Sequence, residues 1–351
     1  MHTLPVKTGT RPLAQVQKLI PGLLLSAALA GAAILLGRSQ WLQHNGISAL
    51  TLAIVLGIVV GNTLYPRIAA GVGFSKQILL RAGIILYGLR LTFQDIAGVG
   101  LHGVLLDALM LASTFGLACL LGTRLFGLDR TTTLLIGAGS SICGAAAVMA
   151  TEPVVRGRAE QVAVAVSTVV VFGTLGIFLY PALFQFDQDW GLLPRDPGTW
   201  GVYIGATVHE VAQVVAAGRS IGIEAADTAV IAKMVRVMML APFLILLSAW
   251  LAHDKAHRRQ HSGATKITMP WFAVGFVLVA GLNSLVSLPP ALVSHVNDLD
   301  TFLLAMAMAG LGLGTHISAI RRAGLKPLLL AALLFAWLVL GGGLLTRLAL
   351  A

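Results

Sequence analysis

Charge is what this sequence has least of. Asp, Glu, Lys and Arg together make up 11% of its 351 residues, whereas a soluble domain carries about 25%. With 57% of residues hydrophobic, the chain is solvated mainly by lipid, and a water-soluble globular fold is excluded. Cysteine is nearly absent: Cys119 and Cys143 both sit in apolar segments, so no disulfide framework is implied. No Walker motif, phosphate-cradling loop or nucleotide domain is present, which disfavours ATP-driven transport. Nucleic-acid modules are missing as well. The formal net charge of +10 therefore reads as the Lys/Arg excess of cytoplasmic loops in a membrane protein.

What the chain does have is apolar length. Eleven segments can be marked, near 19–37, 47–64, 77–93, 101–122, 132–150, 161–184, 200–218, 228–251, 269–287, 301–317 and 327–349. The runs are long and lack strict alternation. Of the two structures that satisfy a backbone in hydrocarbon, helix and closed barrel, they therefore specify helices. Residues 1–18 carry Lys7, Arg11 and Lys18 and no acid, and read as a cytoplasmic tail. The run that follows is long for a signal-peptide core and reads as the first transmembrane helix, with cleavage after Ala28–Ala30 as the alternative. Residues 19–351 then form a single transmembrane domain.

Eleven complete crossings conflict with the charges. They would put Arg156 and Arg158 outside and the acidic loop 187–196 inside, against the usual bias of Lys and Arg toward the cytoplasm. The conflict disappears if 132–150 and 200–218 are broken or re-entrant, the first opening to the cytoplasm and the second to the outside. Both carry Gly, Ser, Thr, His or Glu at their centres, where a lipid-facing helix would not. The fold class is thus an all-α polytopic membrane protein of about 9–11 transmembrane segments with two broken or re-entrant ones. A weak internal repeat pairs 47–125 with 269–348. Gly88-Leu89 matches Gly312-Leu313, Gly100-Leu101 matches Gly324-Leu325, and Asn62 resembles Asn283. The paired helices run in opposite directions, the inverted architecture of many secondary transporters.

Three polar constellations stand out. "VHEVAQ" places His209 beside Glu210, with Gln213 one turn on. A zincin helix needs H-E-x-x-H, and the fifth position here is Gln213, so a metal site is a near miss. An ionisable residue inside a membrane segment costs at least about 2.5 kcal/mol at the centre and persists where it faces a cavity or a partner. Glu210 is therefore the candidate proton carrier and His209 the group that tunes it; Gln213 supports them. The alternative is that the pair only satisfies a broken helix. "IGAGSSICGAAAV" (136–148) comes next. Gly139 and Gly144 leave backbone accessible, and Ser140 and Ser141 are expected to cap a following half-helix whose N-terminus would attract an anion. Close packing through small residues is the alternative. Cys143 lacks a paired base in the sequence. Finally, Arg81, Lys233 and Arg236 lie in apolar runs as candidate anion-facing cations, Asp107 is a candidate partner for one of them, and Arg90 reads as snorkelling to the interface.

"LLRAGIILYGLRLTF" (79–93), "IGAGSSICGAAAVMATEPVV" (136–155), "YIGATVHEVAQVVAAG" (203–218), "KMVRVMMLAPFLILL" (233–247) and "DTFLLAMAMAGLGLGTHISAIRRAG" (300–324) resemble the YeiH family of bacterial inner-membrane proteins. The resemblance covers nearly the whole chain. It implies a multi-pass inner-membrane transporter with the N-terminus cytoplasmic, exporting sulfate or a related anion. It also implies a fold distantly similar to cation/proton antiporters and bile-acid symporters, and it supplies no catalytic residues. The combined expectation is a secondary transporter of a small inorganic or organic anion, such as an oxyanion or organosulfonate, coupled to protons. Neither cofactor nor metal is expected, its partners are the anion, protons and the bilayer, and homodimeric assembly is compatible with it. A cation/proton antiporter using Asp107 or Glu210, and a membrane-embedded enzyme using Cys143 or His209-Glu210, are the alternatives.

Overall fold

A computed structural model describes residues 12–39, 41–42, 47–64, 68–98, 100–191, 193–194, 196–253, 271–286, 288–316, 318 and 323–350. The N-terminal tail to residue 11, the basic loop 254–270 and Arg321-Arg322 lie outside the described residues. The described chain is helical, without strands. Its helices are α1 (Pro12–Leu36), α2 (Ala49–Leu64), α3 (Ala69–Arg90), α4 (Phe93–Gly98), α5 (Gly100–Arg124), α6 (Arg130–Ser141), α7 (Ala145–Val155), α8 (Ala159–Trp190), α9 (Pro197–Thr207), α10 (Val211–Ile221), α11 (Ile223–Met238), α12 (Leu240–His253), α13 (Trp271–Leu285), α14 (Pro290–Leu313) and α15 (Leu325–Leu350). Seven spans are long and apolar enough to cross a membrane, that of α11 continuing into α12. The apolar α2 and α13 are shorter, at 16 and 15 residues.

The polar segments turn back. Gln161 Nε2, at the start of α8, donates to Asp129 Oδ1, at the start of α6, over 2.7 Å. A side chain on Gly157, just after α7, would press on Leu135 of α6 at 2.9 Å. The α6–α7 pair therefore begins and ends on one face. At about 1.5 Å per residue, its 12- and 11-residue arms reach only part-way through a hydrocarbon core of about 30 Å.

The α9–α10 pair does the same from the opposite face. Gly198, at the start of α9, lies beside Glu224, at the start of α11, and Gly218, near the end of α10, packs on Ala226. Arg124, Arg156 and Arg158 mark the face where the first hairpin opens, and Asp187 and Asp196 mark the other. Re-entrance at both segments thus holds, and the physical reason is the one the charges gave.

Local chemistry sets the hairpin ends. Asp129 caps α6 by accepting from Thr132 N–H, and Asp196 caps α9 by accepting from Thr199 N–H, with Pro197 in the first turn. Gly191 ends α8 in the left-handed region at φ 63°.

The helices sort into two bundles. The first comprises α1, α2, α3, α13 and α14; the second comprises α5 to α12 and α15. The first is packed through glycine: Gly57 and Gly61 of α2 lie against the backbone of α14, and Gly22 of α1 against Gly71 of α3. Such contacts suit helices that associate without a hydrophobic driving force. The principal contacts between the bundles run from α10 to α2 and α14 and from α11 to α13. Tyr87 Oη donates to Asp227 Oδ1 across this seam at 2.6 Å, and Ser48 Oγ donates to Ala216 O at 3.3 Å.

Candidate functional site

The two hairpin tips meet. Each is a break between two half-helices: 142–144 in the first and 208–210 in the second. Such a break leaves the carbonyls of the incoming half-helix and the N–H groups of the outgoing one without helical partners. The incoming ends carry partial negative charge and the outgoing starts partial positive charge.

Lys233 and Arg236 of α11 satisfy the incoming ends. Lys233 Nζ donates to Ile142 O at 2.7 Å and to Val208 O at 2.6 Å, so one ammonium ties both tips together. Arg236 Nε donates to Ser141 O at 2.7 Å and its Nη2 to Ser140 O at 3.2 Å. Both side chains are fully buried. Their spacing of three residues puts them on one face of α11, as the sequence indicates. The bonded donors of both side chains serve backbone carbonyls at half-helix ends, which are themselves partly negative. Arg236 Nη1 has no partner among the described residues.

The outgoing starts are satisfied differently. Glu210 precedes α10, and its backbone N–H donates to Gln213 Oε1 at 3.0 Å. Its side chain reaches the other hairpin, where Oε1 accepts from Ala145 N–H at 3.2 Å, in the first turn of α7. Gly144 makes this approach feasible. It sits at φ 67° and ψ −135°, a conformation suited to glycine, and any Cβ there would collide with Glu210 Cγ. Gly144 N–H also closes α6 by donating to Gly139 O at 2.9 Å.

Ser140 and Ser141 do not cap α7. They are the last residues of α6, and Ser141 Oγ donates back to Ala138 O at 3.4 Å. The chain reverses only at Gly144, three residues past Ser141, so the start of α7 lies beyond their reach.

His209 is buried against Phe335, and neither ring nitrogen has a hydrogen-bond partner among the described residues. Asp107 on α5 is also fully buried and makes no hydrogen bond through either oxygen, although the charges of Arg236 and Lys233 act on it. Behind the tips there is thus a polar core of Asp107, His209, Lys233 and Arg236. Cys143 is buried beside it.

The other sequence candidates lie apart. Arg81 stands on the exposed face of α3. Arg90 does not snorkel: it pairs with Asp300 of α14 at 2.9 Å and also donates to Asn297 O and Thr301 Oγ1. A fully buried Asp300 supplies the partner that holds it. Asn62 Nδ2 donates to Ile58 O at 2.8 Å, and Asn283 Nδ2 to Leu91 O at 3.1 Å, each tying a helix end. Gly139 packs on Val148 and Val169. No group of three or more His, Cys, Asp or Glu side chains able to hold a metal occurs among the described residues.

Lys76 is absent from the sequence candidates. It lies in a π-helical turn, Ser75–Leu79, inside α3, and its Nζ lies beside Gly314 at the end of α14. Such turns are rare and frequent at functional sites. The sequence signal, one lysine near the start of an apolar run, is indistinguishable from a snorkelling one.

These features define an all-α polytopic membrane protein with two opposed re-entrant hairpins. The chain matches the model of the family described as "Conserved hypothetical protein 698" over residues 21–331. It is 97% identical to UPF0324 membrane protein PA5383 of Pseudomonas aeruginosa over 355 aligned positions, covering 100% of both chains. It is 58% identical to UPF0324 inner membrane protein YeiH of Escherichia coli K12 over 333 positions, covering 92% of each. A third relative, UPF0324 membrane protein YPO1307/y2878/ of Yersinia pestis, is 56% identical over 352 positions, covering 97% of this chain and 96% of the relative. The chain belongs to this family, the YeiH or UPF0324 family of membrane proteins. None of these three names specifies an enzyme activity or a substrate. No solved structure gives a significant match.

Proposed function

We propose that the protein is a secondary transporter of a small anion across the bacterial inner membrane, coupled to protons, and that it is not an enzyme. The observation that carries this reading is the meeting of two hairpins from opposite faces at one carboxylate, Glu210, which bonds the first turn of α7. Broken helices meeting near the midplane are where secondary transporters place substrate and coupling ion. A titratable group held between two half-helix starts joins a proton site to an anion-attracting one. The buried Cys143 and the partnerless His209 do not form a nucleophile–base pair among the described hydrogen bonds, so the enzyme reading gains no support.

Sulfate, other oxyanions and organosulfonates are the substrate class. The usual charge bias favours a cytoplasmic side for the face bearing Arg124, Arg156 and Arg158, and this supports an N-terminus inside. The opposed directions of α3 and α14 support the inverted repeat of 47–125 and 269–348. A cation/proton antiporter needs a carboxylate free to take a cation, and the charges of Arg236 and Lys233 beside Asp107 weigh against it there.

The test is uptake and counterflow in proteoliposomes with a panel of anions and cations, with and without a pH gradient. Anion flux that responds to the gradient is expected. Flux of cations alone would overturn the reading. Orientation is tested by impermeant thiol labelling. Cysteine at Arg158 should label from the cytoplasmic side and cysteine at Pro194 from the periplasmic side; labelling of both from one side would contradict the opposed hairpins.

A further inference from the structure

We propose that the hydrogen bond between Tyr87 and Asp227 is the latch of a gate, and that the seam between the two bundles opens at the acidic face when this bond breaks. The inference goes beyond the transport reading above and assumes no particular cargo.

Each bundle is locked internally by one kind of contact, and the two are joined by another. Within the first, Gly22, Gly57 and Gly61 sit so close to the backbone of a neighbouring helix that a Cβ would collide with it. Within the second, Gly201 and Gly205 of α9 lie in the same way against the backbone of α11, and Gly218 of α10 lies against Ala226. Such contacts resist separation, because any movement loses many close atom pairs at once. Across the seam the described hydrogen bonds are made by side chains instead. Tyr87 Oη donates to Asp227 Oδ1 at 2.6 Å, Ser48 Oγ donates to Ala216 O at 3.3 Å, and Thr51 Oγ1 and Ser220 Oγ share a bond of 3.3 Å. A polar seam between units with packing of their own is the kind that permits relative motion.

These bonds gather at one end of the seam. Tyr87 lies in the last turn of α3, Ser48 and Thr51 at the start of α2, Ser220 at the end of α10 and Asp227 in the second turn of α11. Gly198 beside Glu224 places that end at the acidic face. Helix α10 runs from the hairpin tip at Glu210 to this same end. The latch therefore stands between the junction of the tips and the acidic face.

Tyr87 is suited to carry it. The ring is buried, and two guanidinium groups stand over it, Arg90 of its own bundle at 5.1 Å and Arg219 of the facing bundle at 5.9 Å. Arg90 is fixed by Asp300 and by Asn297 O, which steadies the ring from which the hydroxyl is aimed. Arg219 makes no hydrogen bond among the described residues, so its attraction to the ring is a second, weaker tie across the seam. Asp227 is only partly buried. Water can replace the hydroxyl on its carboxylate as the seam parts, so no charge is left buried and unpaired by opening. The bond is strong enough to hold the seam and cheap enough to release it.

The experiment is thiol labelling of purified full-length protein in nanodiscs, carrying Cys119→Ala, Cys143→Ala and Thr51→Cys. Thr51 is buried at the seam, so a water-soluble maleimide reports how often the seam opens. Labelling should be slow with the latch intact. Tyr87→Phe keeps the ring and removes only the hydroxyl. It should speed labelling by roughly ten- to a hundredfold, the effect on a two-state equilibrium of losing one hydrogen bond to a charged group. Asp227→Ala should do the same, and it serves in place of Tyr87→Phe should that variant fold poorly. Arg219→Gln should give a smaller rise, about two- to fivefold. Ala165→Cys, buried within α8, is the reference and should label equally slowly with and without the latch. Unchanged labelling of Thr51→Cys in folded Tyr87→Phe and Asp227→Ala would overturn the inference. A rise of equal size at Ala165→Cys would also overturn it, by showing general loosening. Because the readout uses no transported anion, the latch and the anion reading stand or fall separately.

Discussion

The two hairpins share a backbone plan and differ in chemistry. Each enters from one face, breaks near its tip and returns, and each gives its last incoming carbonyl to the same ammonium, that of Lys233. The α6–α7 tip reverses through Gly144 and offers bare backbone: Ser140 O and Ser141 O to Arg236, and Ala145 N–H to Glu210. The α9–α10 tip carries the side chains His209, Glu210 and Gln213. One hairpin therefore supplies a receptor for negative charge, and the other supplies the charge. Two hairpins of like backbone plan thus divide the labour between their side chains.

Removing the element the hairpins share should do the most damage. Lys233→Met leaves Ile142 O and Val208 O buried and unpaired, at about 1–3 kcal/mol for each carbonyl, together with their uncompensated dipole ends. Little folded protein, or a large fall in thermal midpoint, is expected in detergent-solubilised samples. A midpoint equal to wild type would mean that the tips are held by something else.

A smaller effect should follow from giving the bare hairpin a side chain. Gly144→Ala places a methyl against Glu210 Cγ at a left-handed φ, for a cost of about 1–3 kcal/mol. Combining it with Glu210→Ala should recover part of that loss, because the colliding atom is gone. Strict additivity in this double-mutant cycle would show that Gly144 and Glu210 are uncoupled.

The serines should matter least. Ser141→Ala removes only a weak bond to Ala138 O, and Ser140→Ala removes a hydroxyl with no partner. Each should shift stability by less than about 1 kcal/mol and leave anion affinity near wild type. A marked loss of binding in either would return these hydroxyls to the site and erase the contrast between a backbone hairpin and a side-chain one.

Much of this arrangement was legible in the sequence. Hydrophobic length specified the helices. The misfit of Arg156, Arg158 and the acidic loop with eleven crossings located both re-entrant segments, because charge bias and polar tip composition agreed. Glu210 stood out because a carboxylate is costly in an apolar run. What stayed hidden was whatever depends on backbone partners or distant chain. The ligands of Lys233 and Arg236 are carbonyls of residues 140–142 and 208, and carbonyls leave no residue-type signature. The partner of Arg90 is Asp300, 210 positions away. Lys76 sits in a π-turn, which hydropathy does not register. Ser140 and Ser141 misled because serine is a common helix cap, and only the φ of Gly144 decides where the second half-helix starts.

The central claim is that Glu210 joins proton movement to anion movement at the junction of the hairpins. The most direct measurement is proton flux driven by an anion gradient alone, in proteoliposomes with a luminal pH indicator and no initial pH difference. Wild type should alkalinise or acidify the lumen in the direction of anion flow. Glu210→Gln should exchange the labelled anion across the membrane and move no protons. Anion-driven proton flux of wild-type size in Glu210→Gln would contradict the claim.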